Sequence, residues 1–163
     1  ILEWGNKSLN YIEFENLMKK KNDDYLGYIE EMQETEILPD VPKVLNFLEE
    51  QSQGVALGSA SKNARMILKK VSLYNKFSHI VDGNDVVKGK PNPEVFLKAA
   101  DLLNIAPKDC IVFEDSVAGI QAANTANMIS IGIGEKETLH EADYIFKDFT
   151  EIKISFIEEI IKN

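Results

Sequence analysis

Cysteine is almost absent from this chain: its 163 residues hold one, Cys110, so no intramolecular disulfide can form. The apolar residues around Cys110 mark it as a buried structural thiol rather than a reactive one. Only two histidines occur, and neither His79 nor His140 sits in a pattern that suggests chemistry. No apolar run approaches the about 18 residues that would span a bilayer. No secretory leader pattern is visible, so a cytoplasmic protein is expected. An initiator Met is also lacking, and the opening Ile1-Leu2-Glu3-Trp4 reads as the start of a fragment or a processed chain. Basic residues are in deficit, 18 Lys and Arg against 27 Asp and Glu, for a net charge of −9. Such a chain is no general binder of nucleic acid or anionic membrane, although a local basic cluster still suffices for a small phosphate. Repeats and low-complexity tracts are missing too. What remains, 44% apolar and 28% charged, is ordinary for a globular protein of one domain plus a small appendage.

The stretch that organises the rest is Cys110-Ile111-Val112-Phe113-Glu114-Asp115-Ser116-Val117-Ala118-Gly119-Ile120. Four apolar residues run into two adjacent carboxylates and then into a helical pattern. This is how a short buried strand of a parallel sheet looks, with its carboxyl end opening on a helix. In open α/β sheets the chemistry gathers at that end. Before it, Asn10 and Glu13 have the spacing of a capping box. Phe14, Leu17, Met18, Lys21, Tyr25, Tyr28, Ile29 and Met32 then predict one long amphipathic helix, or two with a break near Asn22–Asp24. Glu34 to Asp40 reads as a linker. Beyond it the period alternates: a helix face at Val44, Leu45, Phe47 and Leu48, a strand at Val55–Leu57, and a helix from Ala64 to Val71. Next come a strand at Ile80–Val81 and a helix opened by Pro93, with Val95, Phe96, Ala99, Leu102 and Leu103 facing the core. After the central stretch follow a strand at Ile129–Ile133, an edge strand at Ala142–Phe146, and a closing helix over Ile152–Ile161. The expected fold is α/β, a Rossmann-like parallel sheet with helices on both faces.

Three strand ends each carry a polar set. Ser59, Ser61, Lys62 and Asn63 follow the first, where hydroxyls and backbone N–H groups at a helix entry make either an anion site or an ordinary cap. Lys88-Gly89-Lys90-Pro91-Asn92-Pro93 follows the second, and a lysine in so stiff a setting can neutralise a phosphoryl group. Glu114 and Asp115 end the third. Two neighbouring acids there suit Mg²⁺, which prefers oxygen ligands, or simply a helix N-terminus capped by Asp115 or Ser116. Hydroxyl, lysine and paired acids together describe phosphoryl transfer assisted by a divalent cation.

Gly-Ser-Ala-Ser-Lys-Asn, then Lys-Gly-Lys-Pro-Asn-Pro-Glu-Val-Phe, then Phe-Glu-Asp-Ser-Val-Ala-Gly-Ile resemble the second to fourth motifs of the haloacid dehalogenase superfamily. The resemblance covers essentially the whole chain. Ser59–Asn63 and Lys20-Lys21-Asn22-Asp23-Asp24-Tyr25 resemble its β-phosphoglucomutase branch in particular. The resemblance implies an α-helical cap in residues 1–36 and the α/β core in 37–163. It implies that the Ser59 hydroxyl and Ala60 N–H hold the transferred phosphoryl group while Lys90 balances its charge. Glu114 and Asp115 would place Mg²⁺. Ser61, Lys62 and Asn63 would receive the phosphate that does not react, and Lys21, with Asn22 and Tyr25 near it, would close the cap over a small sugar phosphate. The implied activity interconverts β-glucose 1-phosphate and glucose 6-phosphate by way of an aspartyl-phosphate. A sugar-phosphate phosphatase, or a phosphate-binding fragment without catalysis, are the alternatives. A monomer is expected.

The superfamily's first motif, Asp-x-Asp after a first strand, occurs nowhere in the sequence. Neither Asn22-Asp23-Asp24 nor Asn84-Asp85 is expected to follow a buried strand and so replace it. In the superfamily that strand lies mid-sheet, between the strands at Val55 and Ile111. The chain therefore reads as the C-terminal portion of a longer enzyme, expected to fold poorly and to be inactive by itself.

Overall fold

A computed structural model describes residues 9–162; the first eight residues of the implied cap segment lie outside the described residues. Helix α1 spans Tyr11–Glu31 without a break. Asn10 opens it through the expected capping box: its Oδ1 accepts from the Glu13 N–H at 2.9 Å, and its own N–H donates to Glu13 Oε2 at 2.9 Å. The amphipathic expectation is met only at the helix's C-terminal end, where Ile29 is buried. Phe14, Leu17, Met18 and Tyr25 share a face but stand exposed. Lys70 Nζ donates to Glu30 O at 3.0 Å, fastening this end of α1 to the next helical layer.

The core then alternates as the periodicity predicts: α2 (Val41–Glu50), β1 (Ala56–Gly58), α3 (Ala64–Lys70), β2 (His79–Val81), α4 (Glu94–Leu103), β3 (Ile111–Glu114), α5 (Val117–Thr125), β4 (Ile129–Ile133), β5 (Tyr144–Phe146) and α6 (Ile154–Ile160). All strand pairs are parallel, and β5 is the edge strand. Side-chain alternation along β3 explains the helices on both faces. Val112 packs with Val95, Phe96 and Ala122 of α4 and α5 on one side. Phe113 packs with Val44 of α2 and Ile157 of α6 on the other. Leu102 is a correction: it is half exposed, because the buried stripe of α4 runs through Val95, Phe96, Ala99 and Ala100. Cys110 is only partly buried, and burial followed by the neighbouring Asp109 charge raises its thiol pKa.

The sheet is in two pieces. β1 pairs only with β2, and β3–β4–β5 form a separate sheet. Between β1 and β3 lies a cavity of about 680 Å³ walled by apolar side chains, among them Leu45, Leu57, Phe96, Leu103, Val112 and Ile157. The facing edges of β1 and β3 have no strand partner among the described residues. Backbone groups left so in an apolar setting cost roughly 1–3 kcal/mol each.

Ile131, in the middle of β4, is fully buried. Ile131→Ala is expected to lower stability by about 2–5 kcal/mol and Ile131→Val by about 1 kcal/mol, measured by urea unfolding.

Candidate functional site

β1 and β3 end in the polar sets read from the sequence, whereas β2 runs first into Asp82–Asp85 and the Lys88–Pro93 set comes later on the connection to α4. After β1 the chain bends through Ser59–Asn63. The Ser59 N–H donates to Val81 O at 2.9 Å, tying the loop to the end of β2. Ser59 Oγ accepts from the Ser61 N–H at 3.1 Å, and Ser61 Oγ accepts from the Asn63 N–H at 3.2 Å. Asn63 precedes α3 without a side-chain cap of its own. Two hydroxyls thus shape the loop, while Ala60 and Lys62 are exposed.

Lys90 lies at the meeting point of the two sheets. Its Nζ donates to Glu114 Oε2 at 2.8 Å and to Gly58 O at 3.3 Å, reaching both β3 and β1. It also sits 4.7 Å from the centroid of the Phe96 ring, a cation–π distance. The Lys90 and Glu114 side chains are 12% and 9% exposed, so this ion pair is shielded from solvent. Glu94 secures the segment before Lys90. Its carboxylate accepts from the Val87 and Lys88 N–H groups at 3.0 and 2.8 Å and pairs with Lys98 at 2.9 Å. Lys98 first, then those two amides, lower its pKa to about 2.

Glu114 is held from a second direction. Ser116 Oγ donates to its Oε1 at 2.5 Å and accepts from the Gly119 N–H at 3.0 Å, so Ser116, rather than Asp115, caps α5. The glutamate side chain lies over Gly119, where an added Cβ would fall 2.0 Å from Glu114 Cδ. Glycine is required there for room. Sequence reasoning missed this residue, although its place three positions after Ser116 was the available signal.

Asp115 is exposed and accepts no hydrogen bond from a described residue. Mg²⁺ is commonly held through one or two carboxylates together with waters and substrate phosphate. Asp115 fits one such position, whereas both Glu114 oxygens are already engaged. No group of three or more His, Cys, Asp or Glu able to hold a metal occurs among the described residues.

Lys21 is not brought to these loops. It is exposed in the middle of α1 and makes no hydrogen bond or ion pair with them. A further correction concerns Asn84-Asp85. Strand β2 does run directly into Asp82–Asp85, and Asp82 is buried. That carboxylate is bound by Arg65 and Asn84, so it is no free nucleophile.

A sequence profile described as haloacid dehalogenase-like hydrolase matches residues 5–127. The chain belongs to this family. It is 33% identical to beta-phosphoglucomutase of Bacillus subtilis over 161 residues, 98% of this chain and 71% of that protein. It is 32% identical to validoxylamine A 7'-phosphate phosphatase of Streptomyces hygroscopicus subsp. limoneus over 71% of this chain and 61% of that protein. The crystal structure of beta-phosphoglucomutase from Clostridium difficile superimposes with a TM-score of 0.91 at 36% identity, covering 99% of this chain and 74% of that one. Family-level phosphoryl-transfer chemistry follows from these relationships. Enzymes of this kind generally use Mg²⁺. No described helix is long and apolar enough to cross a membrane.

Gly119→Ala is expected to expel the Glu114 side chain and separate it from Lys90, seen as loss of the Lys90–Glu114 contact in NMR or a crystal structure. The depressed Glu94 pKa sets a pH window. Its stabilising bonds are fully present above about pH 4.5 and disappear as pH falls toward about 2. Protection of the Val87 and Lys88 amides against exchange, taken relative to their intrinsic rates at each pH, should fall across that interval, and Glu94→Gln should abolish this acid-induced step.

Proposed function

We propose that the chain carries the phosphate- and metal-holding loops of a β-phosphoglucomutase-like enzyme, moving a phosphoryl group between the 1- and 6-positions of glucose. The observation that carries this reading is the position of Lys90, whose ammonium is shared between Gly58 at the end of β1 and Glu114 at the end of β3, the residues that precede Ser59 and Asp115 in the chain. A cation fixed there before substrate arrives stabilises developing phosphoryl charge without reorganising. In this reading Ser59 Oγ and the Ala60 N–H orient the transferred group. Ser61, Lys62 and Asn63 hold the distal phosphate, Lys62 as an exposed and mobile point charge. Glu114 fixes Lys90, and Asp115 offers its free carboxylate to Mg²⁺. When bound, that ion would offset negative charge on the phosphate. Closure of α1, bringing Lys21 over the sugar, would exclude water and so favour transfer over hydrolysis.

The nucleophile of the reading is an Asp-x-Asp aspartate outside this sequence. We place it on a strand lying between β1 and β3, whose facing edges are open and whose flanking cavity is apolar. Such a strand would pair both edges at once and deliver its carboxyl end beside Lys90. A sugar-phosphate phosphatase is the second reading, supported by the phosphatases among the relatives.

The test is to express the chain alone and joined to any coding sequence that precedes it in frame. Each product is then given β-glucose 1-phosphate and Mg²⁺ and followed by ³¹P NMR. The joined form should yield glucose 6-phosphate faster than inorganic phosphate, and the chain alone neither. Faster release of inorganic phosphate selects the phosphatase. An upstream frame without Asp-x-Asp leaves a protein that only binds phosphates. In the active form Asp115→Ala should abolish Mg²⁺-dependent turnover. Lys62→Ala should raise KM about tenfold or more with a smaller change in kcat, and the reverse split would reassign Lys62.

A further inference from the structure

The Ser59–Asn63 loop rests on a polar cluster that the reading above does not use. Arg65, the sole arginine of the sequence, donates from Nη1 to Asp82 Oδ2 and from Nη2 to Ile80 O at 2.7 Å and Asp85 Oδ2 at 2.8 Å. Asp82 is 1% exposed. Its other oxygen, Oδ1, accepts from the Asn84 N–H at 2.8 Å and from Asn84 Nδ2 at 3.0 Å. The same Nδ2 donates to Lys62 O at 3.0 Å, and the Gly83 N–H donates to Ser61 O at 3.3 Å. Both partners of Nδ2 are pure acceptors, so only the amide NH₂ satisfies them and the orientation of Asn84 is determined. Gly83 is needed for space: a Cβ there would lie 2.5 Å from Ala60 O.

Three successive carbonyls, those of Ala60, Ser61 and Lys62, therefore lie against the Asp82–Asp85 turn. In a planar trans peptide the N–H points opposite to the C=O. Pinning the Ser61 and Lys62 carbonyls thus sets the direction of the Lys62 and Asn63 N–H groups and the base from which the Lys62 side chain extends. The Arg65–Asp82 pair alone would satisfy the buried carboxylate's charge. The reach of exposed Asn84 across to Lys62 adds control of the loop.

We propose that Asn84, oriented by the Arg65–Asp82 pair, is a positioning residue that holds the Ser59–Asn63 loop in its phosphate-accepting shape. This rests on the phosphate reading of that loop given above.

The test titrates the chain, joined to any coding sequence that precedes it in frame, and the Asn84→Ala variant of the same protein with inorganic phosphate, following amide shifts of Ala60, Ser61 and Lys62 by ¹H–¹⁵N NMR, with thermal melting alongside. The wild-type chain should show saturable shifts at these amides. Asn84→Ala should bind phosphate about 3- to 10-fold more weakly, as loss of one hydrogen bond implies. Its Tm should remain within a few degrees, a split that a merely structural residue would not produce. Gly83→Ala, which displaces the loop without deleting a donor, should weaken binding similarly and serves if Asn84→Ala unfolds. Wild-type affinity in either folded variant overturns the positioning role while leaving the loop's phosphate role intact. Absence of any phosphate-dependent shift at residues 60–62 in the wild type overturns both.

Discussion

Lys90 and Glu114 make the contact on which the site depends. The strands behind them belong to sheets that share no backbone ladder, and the cavity between these sheets is wide and apolar. The ammonium of Lys90 bonds to a carbonyl of β1 and a carboxylate of β3, so one side chain spans the gap where the backbone does not. Removing one partner of a shielded ion pair leaves an unpaired charge and costs about 3–5 kcal/mol. The surroundings limit the alternatives for both groups. Phe96 lies under the ammonium, and Ser116, with Gly119 giving way beneath, holds the carboxylate. Lys90 is thereby placed, rather than merely present, at the strand ends.

Local signals carried most of the fold. The Asn10–Glu13 capping box, the apolar run into Glu114, and the alternation of short strands with helices are short-range patterns, and the structure reproduces them. The site was legible to the extent that its parts lie at strand ends: Ser59 and Asp115 directly follow β1 and β3, Glu114 closes β3, and only Lys90 stands away from a strand, on the connection after β2. What the sequence concealed is contact between residues far apart along the chain. Arg65 meets Asp82 across 17 positions, and Asn84 meets Lys62 across 22. Neither pairing has a periodicity to betray it. Gly119 looked like one more helical residue, although its missing side chain makes room for Glu114. Helical spacing alone also misplaced Leu102 and overstated the burial of α1, because period identifies a face but not what covers it.

The same geometry links the two halves of the functional reading. Each segment that the functional reading uses is held from behind: Ser59–Asn63 by the turn after β2, the Lys88–Lys90 segment by Glu94, and Glu114 by Ser116. Preorganised donors suit phosphoryl transfer, whose demands on a protein are chiefly positioning and charge. The open edges of β1 and β3 lie within this arrangement, and a strand placed there would arrive where the charges already converge.

A double-mutant cycle on Lys90 and Glu114 tests the central claim most directly. Urea unfolding of Lys90→Met, Glu114→Gln and the double variant gives the coupling between the two side chains. The structure predicts a coupling of about 1–3 kcal/mol, because each single variant leaves a shielded polar partner behind. Additivity within about 0.5 kcal/mol would mean that the pair does not join the two sheets, and would contradict the account.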